Sequence, residues 1–496
     1  MRYVSTRGGE SVSPSQAILR GIAPDGGLYV PEEIPALREE ELLLLQKMDY
    51  PHRAASILSR FLTDFSEEEL LSYAKAAYSP EKFPEGTAPV KKLDEKTLVL
   101  ELFHGPTAAF KDVALQILPY LLTAAAKKNG VTDRIMILTA TSGDTGKAAL
   151  EGFADVKDTM VFVFYPAEGV SPTQRLQMIT QKGENVGVAG VLGNFDDAQT
   201  GVKRIFGDRE FAAALKEKGV RLSSANSINW GRLVPQAVYY ISAYLDAVSL
   251  GVIGMGEKLD VAVPTGNFGN ILAAFFAKKM GLPLGRLISA SNENNVLSDF
   301  IETGVYDKNR PFYTTVSPSM DILISSNVER LLYFLSGRDP ESTREKMEKL
   351  AREGRYALSE GEKAALGADF LGGWAGEEKS LPALRRTWKE KGWLPDTHTA
   401  VALAVLQELR AAGSEERPTL VAATASPFKF SGSVLYALDG LRREESPALG
   451  KELSDLTGIP VPPPLRDLEK REPRFRETVK KEDMRLPVIK LAEKKS

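Results

Sequence analysis

Three times in this chain an apolar run with strand character passes directly into a short turn of glycines, hydroxyls and amides, and from there into a helix. The runs are 97–102, 134–141 and 259–263, and the helices that follow begin near Val113, Lys147 and Ile271. A strand that rejoins its sheet in parallel must return through a crossover, usually a helix. Further apolar runs at 160–165, 186–192 and 419–425 alternate with helical stretches, one of them a long helix near 195–218. The pattern therefore predicts an α/β protein built on mostly parallel sheets covered by helices.

The flanks read differently. Residues 1–95 start irregularly, turn at Asp25-Gly26-Gly27, and then form a mainly helical N-terminal domain, in which Ser66 and Glu69 are spaced as a capping box. Residues 96–330 carry the strand–helix alternation, with a smaller lobe expected at about 110–225. Charged helices at 331–393, broken at Gly372-Gly373, read as a helical insertion, and 394–458 return to the α/β region. The prolines of 460–464 and the charge-dense tail make 459–496 a surface extension.

Composition removes several classes of function. With 63 Lys plus Arg against 66 Asp plus Glu, the chain has no cationic footprint for nucleic acid. It has no cysteine, so disulfide and thiolate chemistry are out. His52, His104 and His398 match no local metal-ligand spacing, and metal-independent chemistry is expected. No run approaches the length of a membrane span, and the N-terminus lacks the basic-then-apolar pattern of a leader, so a cytoplasmic chain without a membrane partner is expected.

Each of the three turns suits a different chemistry. Lys111 opens the apolar helix 113–118, where the positive end of the helix dipole and partial burial both disfavour an ammonium. A lysine held neutral attacks aldehydes. The turn Ser142-Gly143-Asp144-Thr145-Gly146 offers backbone N–H groups and hydroxyls to a carboxylate or phosphate, although alone it reads equally as a plain βα turn. It is no P-loop, because Thr141 stands where the first glycine belongs and Ala148 where a magnesium-binding hydroxyl belongs. The turn carrying Gly266 and Gly269 lets the backbone approach a ligand, and it holds no Lys or Arg, which suits a permanently bound phosphate. Gly251, Gly254 and Gly256 precede their strand rather than follow it, so they are no dinucleotide fingerprint. Three other features stand out: Arg175 on a helix at 172–181, the polar cluster 223–232 with Asn229 and Arg232, which reads equally as a helix cap, and the strand-end hydroxyl of Thr424.

In combination these features resemble the pyridoxal-phosphate enzymes of the tryptophan-synthase-β type and, more closely, the longer subclass of the threonine synthase family. The resemblance runs through Tyr3-Val4-Ser5-Thr6-Arg7-Gly8, Ala23-Pro24-Asp25-Gly26-Gly27-Leu28, the 104–112 and 140–146 stretches, Pro264-Thr265-Gly266-Asn267-Phe268-Gly269, and 423–430. It implies a fold-type II enzyme: two open, twisted, mostly parallel α/β domains, with an N-terminal mainly helical domain and a helical insertion. It further implies that Lys111 links to pyridoxal 5'-phosphate and carries protons once released, that Gly266, Asn267, Phe268, Gly269 and Asn270 hold the cofactor phosphate, and that Thr424 faces the ring nitrogen. Ser142, Gly143, Asp144 and Thr145 are then expected on the substrate carboxylate. Ser142, Thr145, Asn229, Arg175 and Arg232 are candidates for the departing phosphate. The activity implied is a lyase's: O-phospho-L-homoserine and water give L-threonine and phosphate by β,γ-elimination and water addition, the last step of threonine biosynthesis, in a monomer or homodimer. The alternative is a phospho-lyase of the same fold, releasing a 2-oxo acid, ammonia and phosphate. Three positions depart from the pattern. Asp144 stands where relatives of the wider fold often carry asparagine beside the ring oxygen, and Ser426 and Phe428 stand where many relatives carry His and Ala.

Overall fold

The computed structural model describes residues 1–141, 143–167, 170–413 and 417–494. Two sheets carry the architecture. The larger runs Phe370–Trp374, Leu284–Ser291, Leu259–Pro264, Thr419–Ala423, Thr97–Glu101 and Val90–Asp94 from edge to edge, parallel throughout except at the last pair. The smaller runs Thr478–Val479, Val186–Val191, Thr159–Pro166, Arg134–Ala140 and Val220–Ser223, all parallel. Parallel strands covered on both faces need apolar side chains at nearly every position. At the centre of the large sheet, Leu420 pairs with Leu98 on one side and with Val261 on the other, and all three are buried.

The N-terminal region packs behind the large sheet. Trp230, at the start of the helix Trp230–Ser249, lies 5.4 Å from the Tyr3 ring, 5.8 Å from Phe61 and 5.2 Å from Phe276, which ties that region to the helix Gly269–Lys279. The capping box forms: Ser66 Oγ accepts from Glu69 N at 3.1 Å, and the Glu69 carboxylate accepts from Ser66 N at 2.9 Å. Among the described residues, no helix is long and apolar enough to cross a membrane.

Three segments differ from the sequence reading. The long helix near 195–218 is two helices, Phe195–Gly207 and Arg209–Glu217, because Asp208 leaves helical geometry and caps the second by accepting from Phe211 N at 3.0 Å. Gly372-Gly373 is no break but the middle of the edge strand Phe370–Trp374. A Cβ on Gly372 would lie 2.7 Å from Ser298 O, and one on Gly373 would collide with Val405, so the glycines let helices on both faces close onto the strand. The tail also enters the fold. Thr478–Val479 extends the small sheet, and the helix Arg485–Ala492 buries Val488 and Leu491 in the same core as Phe162 and Val191.

Candidate active site

In open parallel sheets, ligands bind beyond the carboxyl ends of the strands. All three turns singled out above leave such ends. Lys111 is the first residue of the helix Lys111–Lys128, and the loop before it is clipped to the end of the strand Thr419–Ala423. Phe110 N donates to Thr424 O at 2.8 Å and Ser426 N to Ala108 O at 3.0 Å, with Ala109 bridged to Ala425 between them. The clip sets Lys111 beside buried Thr424. Asp112 braces the loop from inside, accepting from Thr107 N at 2.8 Å and from Thr107 Oγ1 at 2.6 Å. Burial pushes its carboxyl up to about 6, against the pull of those hydrogen bonds.

The Lys111 side chain is 14% exposed. Desolvation brings its amine down to about 8, Asp144 opposes this, and Lys429 and Arg232 add to it. Asp144 opens the helix Asp144–Phe153, buried among groups drawn from both lobes. Its Oδ1 lies 2.6 Å from Lys429 Nζ and accepts from Gln174 Nε2 at 3.0 Å, while its Oδ2 lies 3.9 Å from Lys111 Nζ and accepts from Ser319 Oγ at 3.4 Å. Burial penalises this carboxylate, yet Lys429 and Lys111 outweigh the penalty and hold it well below the usual range. The aspartate that replaces an asparagine is thus anionic, and the lysines facing it neutralise it. The side chain is committed to cations and cannot also receive a substrate carboxylate, so Asp144 has only its backbone N–H to offer an anion.

The glycine turn after Leu259–Pro264 is a built cradle. Its carbonyls are turned outward: Gly266 O accepts from Ser325 Oγ at 2.7 Å, and Asn267 O accepts from Asn327 N at 3.2 Å and from Asn327 Nδ2 at 3.0 Å. A Cβ on Gly266 would sit 2.7 Å from Ser319 O, which explains glycine there. Phe268 takes the left-handed region, with φ at +59°, and the first bond of the helix runs from Leu272 N to Phe268 O at 3.0 Å. The N–H groups of Gly269, Asn270 and Ile271 lie ahead of any intrahelical acceptor. Asn270 Oδ1 accepts from Tyr239 OH at 2.6 Å and Tyr240 OH at 2.5 Å, leaving its buried Nδ2 without an acceptor among the described residues. Arg232, Gln236 and Tyr239 follow one another along the same face of Trp230–Ser249. Arg232 is buried, donates from Nη1 to Ala225 O at 2.7 Å, and leaves Nε without an acceptor among the described residues. Burial lowers it to about 10, still a cation at neutral pH. Buried donors without acceptors are costly unless a ligand fills them. A neutral N–H cradle, a lysine amine brought toward neutrality and the strand-end Thr424 to which its loop is clipped fit pyridoxal 5'-phosphate.

The remaining expected residues divide. Thr141 Oγ1 pins the second turn by accepting from Gly143 N at 3.0 Å and Gly146 N at 3.1 Å, and Thr145 is half-buried on the first turn of the helix. Ser142 lies outside the described residues. Asn229 is a helix cap, its Oδ1 accepting from Gly231 N at 2.8 Å and its Nδ2 donating to Ile18 O at 3.0 Å. Arg175 is exposed on the helix Pro172–Ile179, and its neighbour Gln174 reaches the site instead. His104 joins a separate polar cluster, with Nε2 2.8 Å from Glu101 Oε2, where Trp393 and Lys91 also bind. Lys429, Gln174 and Ser319 were not foreseen. Only Lys429 left a trace in the sequence, as a lone cation between Phe428 and Phe430.

Comparison with known proteins agrees with this geometry. Family models described as "Threonine synthase N terminus", "Pyridoxal-phosphate dependent enzyme" and "Threonine synthase, C-terminal" match residues 2–78, 85–372 and 399–486 in turn. Threonine synthase of Pseudomonas aeruginosa is 37% identical over 92% of this chain and 93% of its own. Human threonine synthase-like 1 is 42% identical over 86% of this chain, which spans 58% of that longer protein. Among solved structures, PLP-bound threonine synthase from Brucella melitensis superposes with a TM-score of 0.88 at 37% identity over 100% of both chains, and the yeast enzyme with 0.88 at 32% identity over 99% of this chain and 98% of its own.

Proposed function

Because the chain belongs to the threonine synthase family of pyridoxal-phosphate-dependent enzymes, we propose that it converts O-phospho-L-homoserine and water to L-threonine and phosphate. The observation that carries the reading is the position of Lys111: a buried amine brought down to about 8, on a loop clipped through Phe110 N to Thr424 O at the carboxyl edge of the sheet that also bears the neutral cradle.

Lys111, residues Gly266, Asn267, Phe268, Gly269 and Asn270, and Thr424 would hold the cofactor. When bound, pyridoxal phosphate supplies an electron sink that acidifies the carbons next to the substrate amine. The chain's own groups do the rest. Lys111 Nζ, once released, takes the α proton and then serves the β carbon; an amine near 8 keeps an appreciable neutral fraction at neutral pH and still holds a proton well enough to return it. With the Gly143 N–H taken by Thr141 Oγ1, the backbone N–H groups of Asp144 and Thr145 receive the substrate carboxylate at the positive end of Asp144–Phe153. Arg232 Nε is the unfilled cationic donor for the departing phosphate. The capped amide of Asn229 and the exposed Arg175 take no part in this assignment. Thr424 would meet the ring nitrogen with a hydroxyl rather than a carboxylate and so would not enforce a proton there, chemistry that suits elimination over transamination.

The same reading has the chain work in the cytoplasm on a small molecule, as a monomer or homodimer and without nucleic acid; the near balance of 63 basic and 66 acidic residues supports the last point. Incubating the cofactor-loaded protein with O-phospho-L-homoserine and identifying both products tests the proposal. Threonine and phosphate in equal amounts are expected. A 2-oxo acid and ammonia in place of threonine would make it a phospho-lyase instead.

A further inference from the structure

Lys429 is the cation with no exposure at this site: its side chain is 0% accessible, held by Thr107 O at 3.0 Å and by Asp144 Oδ1 at 2.6 Å. Lys111 approaches the other oxygen of the same carboxylate only to 3.9 Å. Two ammoniums thus contend for one anion, and the attraction is stronger for the nearer. We propose that Lys429 is a positioning residue that claims the Asp144 carboxylate and so leaves the Lys111 amine free to lose its proton. With Lys429 absent, Asp144 would pair with Lys111 alone and hold it as an ammonium, which has no lone pair to offer an aldehyde. Gln174 and Ser319 steady the carboxylate in its present place. The charged groups that face Lys111 are Asp144, Lys429, Arg232 and, on its own helix, Asp112; Lys429 faces Asp144 and, through Thr107, Asp112.

The inference rests on Lys111 being the lysine that links to the cofactor, and the test separates the two. The full-length protein is stripped of cofactor and mixed with pyridoxal 5'-phosphate. The rate at which the lysine amine and the aldehyde join, with loss of water, is followed by visible absorbance across pH, and the bond is trapped with borohydride and mapped to a peptide. Lys429→Met is expected to move the midpoint of that rate profile up by about one pH unit, which slows linkage at neutral pH about tenfold. Adding Asp144→Asn to Lys429→Met is expected to return the midpoint to that of the unaltered protein, a rescue that a distorted loop would not show. Asp144→Asn alone is expected to move it down, and decides the matter should Lys429→Met not fold. An unmoved midpoint in Lys429→Met or in Asp144→Asn, or a shifted midpoint without rescue, overturns the role of Lys429. Linkage mapped to a lysine other than Lys111 overturns the functional reading beneath it.

Discussion

Asp112 offers the most quantitative check on the electrostatics of the site. It is fully buried, and its carboxyl is raised from 3.8 to about 6. The folded protein therefore binds this proton more tightly than the unfolded chain does. Below about pH 4 both states are protonated and the group is neutral to stability; between about 4 and 6 stability falls as pH rises, and above 6 the full loss persists. A shift of about two units corresponds to about 3 kcal/mol. Asp112→Asn keeps the shape and an acceptor for Thr107 N, and the Thr107 hydroxyl can rotate to accept from the new amide. The charge disappears, and with it the pH dependence. Relative to the native chain, the variant should gain about 3 kcal/mol between about pH 4 and 7.5, whatever fixed offset the weaker hydrogen bonds introduce. The assay is urea unfolding of both proteins at several pH values, with m-values compared. Taking the difference cancels other titrating groups such as Glu101, whose buried carboxyl is held low by His104, Trp393 and Lys91. A gap that stays constant with pH, or that moves the other way, would refute the argument.

Other changes probe the site more directly. Lys111→Ala should abolish threonine formation, while the cradle still retains some pyridoxal phosphate, read by equilibrium dialysis; steady turnover in this variant would sink the assignment. Gly266→Ala forces a methyl to 2.7 Å from Ser319 O, and an overpacking strain of about 1–3 kcal/mol should weaken cofactor retention about five- to 150-fold, with little change in far-ultraviolet dichroism. Arg232→Gln removes the unfilled cationic donor, so the KM for O-phospho-L-homoserine should rise at least about tenfold, with a smaller effect on cofactor affinity.

The parts legible in the sequence are those where one local pattern decides the structure. Lys111 at the head of a largely apolar helix, and Gly266 and Gly269 between a strand and a helix, declare both element and chemistry. Capping residues are similarly local, as at Ser66 and Glu69. What stayed hidden depends on distant partners. Gly372-Gly373 looks like a break until the helices bearing Ser298 and Val405 are seen to press on both faces of the strand. The two-residue strand Thr478–Val479 has no periodicity to detect, and only the exposed edge at Val186–Val191 gives it a place. Asp144 stood out where an asparagine is usual beside the ring oxygen, and the counter-ion that accounts for it, Lys429, lies far along the chain.

The clip between the Lys111 loop and Thr424 also has a meaning in time. Thr419–Ala423 lies between Thr97–Glu101 and Leu259–Pro264, so a growing chain that has not yet emitted it holds the large sheet as two separate pieces. At about 5–20 residues per second, Lys111 leaves the ribosome roughly fifteen seconds to a minute before the strand that will seat it. Cofactor capture therefore belongs to the last stage of synthesis, and a nascent chain arrested ahead of Thr419 should emerge colourless in the presence of pyridoxal phosphate.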